Sequence, residues 1–204
     1  MIRRSLLGVL VAGALLGCAR GPEGSEFHGV VLPVPFPRPQ VTLTATDGRP
    51  FDFAAATRGR VTFLFFGYTH CPDVCPVHMA NLAAVLKDLT HEDRDRVQVV
   101  FVTTDPARDS AQVLRRWLDQ FDPTFIGLRG DDSTVARFEA EAHVAAAVKE
   151  APTDSNAGYT VGHAAQVIAF ASDDSAHVLY PFGTRQEDWA HDIPLLLGGA
   201  WSGK

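Results

Sequence analysis

The run "RVTFLFFGY", Arg60 to Tyr68, constrains this chain more than any other stretch. It is an unbroken series of β-branched, aliphatic and aromatic residues. A strand that shows no polar alternation is buried on both faces. It leads directly into "THCPDVCP", Thr69 to Pro76. A fold built on it must cover a central strand from two sides and present two cysteines at that strand's end. "VQVVFVTT", Val97 to Thr104, is a second buried run of the same kind.

Between and after these runs the period changes. Met79, Leu82, Leu86 and Leu89 fall on one helical face. Ser110 reads as the N-cap of a helix that turns Val113, Leu114, Trp117, Leu118 and Phe121 inward. "FIGL" is a short apolar run, and Ser133 to Ala142 is helical in pattern. Residues 148–162, with Pro152, Asn156 and Gly158, read as a long polar loop. "AAQVIAF" and "HVLYPF" read as strands around the turn "SDDS". "RQEDWAHDIPLLL" closes the chain as a helix that Pro194 should kink or end. Upstream, "VTLTATDGRPFDF" alternates around Asp47-Gly48, a hairpin signal. The order is hairpin, then βαβα, then ββα. It predicts an α/β fold with a central mixed β-sheet, helices on both faces and an N-terminal β-hairpin. This layout is similar to the thioredoxin-like fold, where a cysteine pair ends the first buried strand and opens the next helix.

The N-terminus predicts export. "MIRRSLLGVLVAGALLGCAR" has a basic start, an apolar run from Leu6 to Leu16, and a close at Gly17-Cys18. That is the layout of a secretory signal, residues 1–17. The run is short of the ~20 residues of a membrane span. "LLGC" resembles a bacterial lipobox, which implies that Cys18 carries lipid and becomes the first mature residue; the alternative is an uncleaved anchor. Either one places the domain outside the cytoplasm and beside a membrane. Residues 18–39, with prolines at 33, 35, 37 and 39, read as an extended tether. The domain then runs from 40 to 204. With 204 residues, 46% of them hydrophobic, the chain can bury one sizeable core. A net charge of −6 without a basic run argues against nucleic acid as a partner.

If Cys18 carries lipid, Cys71 and Cys75 remain as one close pair in a compartment where disulfides persist. A bridge closing so small a loop stabilises a fold little, so a structural staple is the weaker explanation. At i and i+4 the two Cα atoms of a helix lie ~6 Å apart, which suits a disulfide or two sulfurs on one metal. A helix N-terminus lowers a thiol's pKa, and the thiolate is both nucleophile and ligand. Pro76 predicts that the regular helix starts near that residue, after a distorted turn that Asp73 can cap. Zinc wants three or four protein ligands, and no second cysteine pair exists. Soft thiolates select Cu(I), and a weak additional ligand would also permit Cu(II).

A third ligand is sought among eight histidines. His70 adjoins Cys71 and is poorly placed for the same metal. His78 reads as a surface or supporting residue. His28 lies in the tether, while His91 and His191 stand among charged residues. His163 ends the polar loop and precedes "AAQVIAF", a position where functional residues concentrate, or where a plain loop histidine sits.

Three blocks carry a resemblance: "FLFFGYTHCPDVCP", "VVFVTTDPARDS" and "VGHAAQVIAF". Together they resemble the Sco/SenC family of copper-binding assembly factors over roughly Gln40 to Leu197. The resemblance implies a thioredoxin-like fold and one copper held by Cys71, Cys75 and His163. It implies service to the copper A centre in subunit II of cytochrome c oxidase or to another copper protein, with a periplasmic copper donor and a thioredoxin-like reductant upstream. Some members act as thiol–disulfide reductases on that subunit, which would make Cys71 and Cys75 a catalytic redox pair. A peroxidase of the same broad fold would need an arginine at the thiol, for which Arg108 is the candidate. Gly162 stands where the family usually has Asp. Asp105 and Asp109 are family-like and serve either to cap a loop or to support the site.

Overall fold

Every residue of β4 (Val61–Gly67) and β5 (Val97–Thr103) is buried, as their unbroken apolar runs require. The computed structural model describes residues 27–151 and 158–202, so the signal segment and Cys18 lie outside the described residues. The chain first forms β1 (Val30–Pro37), β2 (Thr42–Ala45), β3 (Pro50–Asp52) and α1 (Phe53–Thr57) ahead of β4. After β4 come α2 (Val74–Lys87) and α3 (His91–Asp95), then β5, α4 (Ala111–Leu118), β6 (Ile126–Arg129) and α5 (Asp132–Glu141). It ends with β7 (Val148–Glu150), β8 (Thr160–Gly162), β9 (Val167–Phe170), β10 (Ser175–Tyr180) and α6 (Gln186–Gly198). Eight strands form one mixed sheet in the order β1-β10-β9-β4-β5-β6-β2-β3, with β4, β5 and β6 parallel. Among the described residues no helix is long and apolar enough to cross a membrane.

Side chains of a strand alternate between faces, and two cores follow from that. Phe63, Phe65, Val99 and Phe101 pack on one face with Met79, Leu82 and Leu86 of α2, Leu114 and Leu118 of α4, and Trp189 and Ile193 of α6. Leu64, Phe66, Val100 and Val102 pack on the other with Phe53 of α1 and Val135 and Phe138 of α5. This is the thioredoxin-like α/β arrangement, with helices on both faces of a mixed sheet and the β2–β3 hairpin turning at Gly48. Ser110 caps α4 by accepting from the Val113 N–H at 3.2 Å.

Four details differ from the sequence expectations. The proline-rich segment is not a free spacer from 18 to 39, because Val30–Pro37 pairs antiparallel with β10 at the sheet edge. The register slips between Val31 and Phe36, where Pro33 and Pro35 fall, and an edge strand needs no N–H on its outer side. Helix α6 runs through Pro194 without ending. Pro194 is exposed, and the carbonyl that loses its partner belongs to Ala190, also exposed, so no buried carbonyl is left unpaired at this turn. The polar stretch 148–162 contains a two-stranded sheet, Val148↔Gly162 to Glu150↔Thr160. Finally, α2 starts at Val74, two residues before Pro76, because Asp73 caps it.

Candidate metal centre

The β4–α2 connection builds the first half of the site. Cys71 N–H donates to the Tyr68 carbonyl at 3.2 Å, which folds the chain back at the end of β4. Asp73 accepts from the Val74 N–H and starts the helix. Cys75 is then the second helical residue and Pro76 the third, where a backbone N–H would have no helical partner. The Cys75 N–H donates to Cys71 Sγ at 3.4 Å, so the electropositive helix end faces that sulfur. Both cysteines are free and buried, Cys75 fully and Cys71 at 9% exposure, so Cys71 alone reaches solvent. Gly67 makes the seat for Cys75. A Cβ there would lie 2.6 Å from Cys75 Sγ.

His163 arrives from β8, and its Nδ1–H donates to the Ala164 carbonyl at 3.0 Å. That bond aims Nε2 at the sulfurs, 3.5 Å from Cys75 Sγ; protonated, Nε2 donates to the Cys71 thiolate, and once that proton leaves it is free to bind a metal. Phe65 and Tyr68 meet the ring edge-to-face, each 5.7 Å away. The structure thus brings Cys71, Cys75 and His163 together, with their donor atoms all within 4.8 Å of one another.

The three groups tune one another. A hydrogen bond from Cys75, opposed by burial and joined by one from His163, holds the Cys71 thiol down at about 3. Burial, reinforced by the Cys71 thiolate, pushes the Cys75 thiol up. Burial disfavours a charged His163, but the bonds to Cys71 and to the Ala164 carbonyl outweigh it and raise the imidazole. The reduced pair therefore carries one thiolate, on Cys71, and one proton, on Cys75. The donor set fits copper: two soft sulfurs and a correctly tautomeric imidazole make three ligands and leave a face open.

The aspartates act on the loops that carry these ligands. Asp109 accepts from the Thr69 N–H (3.0 Å), the Thr69 hydroxyl (2.6 Å) and the Thr103 hydroxyl (2.6 Å), tying the turn before Cys71 to β5. Asp105 is fully buried; it pairs with Arg108 and accepts from the Tyr159 hydroxyl at 2.7 Å. Arg108 lies over the Tyr159 ring at 3.7 Å and donates to the Tyr159 carbonyl at 2.9 Å. Two of its nitrogens are thus committed to Asp105 and to the residue before β8, the strand that delivers His163, while Nη2 is buried without a hydrogen-bond partner. Tyr159→Phe removes one bond from this tie. The expected result is a threefold to tenfold weaker Cu(II) affinity, as for ~1 kcal/mol, with Cys71 alkylation unchanged. Isothermal titration and mass spectrometry read the two effects, and wild-type affinity would refute the role.

Two more residues lie beside the centre: His78, for which a supporting role was one of the two expectations, and Glu150, to which the sequence did not point. His78 is 1% exposed, wedged against Phe65, Phe182 and Trp189, and its Nε2–H donates to the Ala165 carbonyl at 2.9 Å. It holds the far side of the His163 turn, and burial lowers its pKa. Its place three residues after Cys75, on the Met79–Leu82 face, was the available signal. Glu150 is the second. Its Oε1 lies 2.8 Å from where a Gly162 Cβ would stand, so a carboxylate from β7 covers the position where relatives were expected to carry Asp. Of the other histidines, His70 is exposed and 3.8 Å from Asp109, whereas His28 is stacked on His191.

Comparison with known proteins agrees with this geometry. The family model described as SCO1/SenC matches residues 38–198. A protein of Stutzerimonas stutzeri is 32% identical over 185 residues, 88% of each chain. The mitochondrial protein SCO2 of Saccharomyces cerevisiae is 36% identical over 117 residues, 57% of this chain and 37% of its own length. Among solved structures, apo Sco1 of Thermus thermophilus has a TM-score of 0.73 at 30% identity, covering 84% of this chain and 97% of its own. ScoI of Bradyrhizobium japonicum with copper bound has a TM-score of 0.67 at 31% identity, covering 80% and 98%. With the family model matched from residue 38 to 198, a span that holds all three donor residues and every strand of the main sheet but β1, this chain belongs to the SCO1/SenC family.

Proposed function

We propose that this chain is an extracytoplasmic copper carrier, anchored through lipid on Cys18. It takes up one copper on Cys71, Cys75 and His163 and passes it to a copper protein, of which the copper A subunit of cytochrome c oxidase is the prime candidate. The observation that carries this reading is the convergence of two sulfurs and one imidazole nitrogen within 4.8 Å. Copper is cargo here. The exposed edge of Cys71 is the side from which an acceptor thiolate can join the metal before the carrier's ligands let go. The test is transfer. The full chain loaded with one Cu(I) is mixed with the reduced, metal-free copper A subunit, and copper on each partner is measured after separation. Copper moving to the subunit supports the reading; copper staying on the carrier under excess acceptor contradicts it.

The split between the two thiols favours a second reading, a thiol–disulfide reductase. The Cys71 thiolate attacks a client disulfide, forming a mixed disulfide and releasing one client thiolate. Cys75, losing its proton, then attacks Cys71 Sγ, releases the second client thiol and leaves a Cys71–Cys75 bridge. Two electrons have moved, and a thioredoxin-like reductant must restore the pair. Turnover on the oxidised copper A subunit with such a reductant, abolished by Cys71→Ser, separates this reading from simple delivery.

A further inference from the structure

We infer that His28, His191 and Asp192 form a second metal site, for a divalent ion of borderline softness such as Cu2+ or Zn2+. Their donor atoms lie within 4.8 Å of one another, in a group separate from the thiolate centre. His28 also precedes the part of the chain that the family model matches, 38–198.

The site is assembled by long-range contacts. Asp192 is fully buried on α6, and its carboxylate accepts from the backbone N–H of His28 and of Gly29, both at 2.9 Å. The Tyr180 hydroxyl donates to it at 3.1 Å. Gly29 permits this approach, since a Cβ there would lie 2.4 Å from Val178 Cγ1 and 2.7 Å from the Tyr180 ring. The clamp sets the His28 imidazole face to face with that of His191, with centroids 3.9 Å apart and planes 7° from parallel. Both rings are about half exposed, His28 at 47% and His191 at 44%.

Three features point to a metal. His191 Nδ1 and Asp192 Oδ1 are 2.8 Å apart, close to the ~2.9 Å between two ligands at right angles on a tetragonal ion such as Cu2+ and short of the ~3.3 Å of a tetrahedral one. A metal there replaces the shared proton, which leaves to solvent. The stack holds both imidazoles on one side of the carboxylate; because parallel rings send their in-plane lone pairs side by side, His28 must turn its exposed ring out of the stack to aim a nitrogen at the same ion. Asp188 Oδ1, 3.0 Å from His28 Nδ1, orients that ring through its other nitrogen. Two imidazoles and a carboxylate suit Cu2+ or Zn2+ and offer nothing soft to Cu(I), so this site and the thiolate centre differ in the oxidation state they prefer. Occupancy also ties the start of β1 to α6.

The test uses the full chain carrying Cys71→Ser, Cys75→Ser and His163→Ala, stripped of metal and titrated with Cu2+. One equivalent bound, with nitrogen hyperfine structure in the electron paramagnetic resonance spectrum, is the expected result. Adding His28→Gln and His191→Gln should weaken it at least tenfold. No bound copper, or an equivalent that survives both glutamines, overturns the site. The cysteine-containing chain supplies an independent reading should the triple variant not fold. There, His28→Gln with His191→Gln should lower the Cu2+ stoichiometry from two to one while the sulfur-to-copper absorption stays unchanged. A stoichiometry that does not fall contradicts the proposal.

Discussion

In the reduced, metal-free protein, Cys71 is expected to react with iodoacetamide almost as fast at pH 5 as at pH 8, while Cys75 stays unmodified. The Cys71 thiol is held at about 3, chiefly by Cys75. A pKa below the working range means that the thiolate persists as pH falls and is lost only as pH approaches about 3. An ordinary thiol with a pKa near 8.5 would lose roughly a thousandfold in rate over the same interval. Cys75 is fully buried and its pKa is raised, so it fails on both access and charge. Mass spectrometry of the peptide spanning both residues gives the site and the rate together. His163→Ala removes a hydrogen bond to Cys71 and should shift its reactivity midpoint upward. Equal labelling of both cysteines, or a midpoint near 8 to 9, would sink this account of the pair.

The second large effect is expected at Gly67. Gly67→Ala places a methyl 2.6 Å from Cys75 Sγ, 3.0 Å from the Phe65 ring and 3.2 Å from the Phe101 ring. No contact in a packed core tolerates the first of these distances. Cys75 Sγ and both rings belong to fully buried residues of one core, so the movement falls on the sulfur or on Phe65. Phe65 also packs on His163. Overpacking of this kind costs ~1–3 kcal/mol, and spent on the site it lowers copper affinity roughly tenfold or more. Competition with a copper chelator measures the change, and thermal melts of the metal-free protein show whether the fold itself has weakened. Unchanged copper affinity would mean that Gly67 is not the seat of Cys75.

The sequence revealed the parts of this structure that rest on local chemistry. β4 and β5 were legible because neither run shows the polar alternation of a strand with one face in water. The α2 face, the Ser110 cap and the Asp47-Gly48 hairpin were legible because each is encoded within a few residues. Cys71 and Cys75 needed only their spacing, whereas His163 needed the resemblance. What stayed hidden depends on contacts between distant segments. Nothing in the proline-rich stretch says that Val30–Pro37 will pair with β10. Pro194 alone argues against a continuous α6; only the exposure of its turn permits one. For His78 the sequence left a surface and a supporting role open, because a histidine's burial is decided by what packs on it, here Phe65, Phe182 and Trp189. Glu150 over Gly162 is invisible in the sequence because the carboxylate comes from the neighbouring strand.

The central claim is that Cys71, Cys75 and His163 act as one three-ligand copper site. The most direct measurement is a Cu2+ titration of the reduced full chain in the His28→Gln/His191→Gln background, followed by absorption and electron paramagnetic resonance, with and without His163→Ala. One equivalent is expected in the background protein, with a sulfur-to-copper band and nitrogen coupling; His163→Ala should remove that nitrogen coupling and weaken binding at least tenfold. A spectrum and an affinity indifferent to His163→Ala would contradict the site.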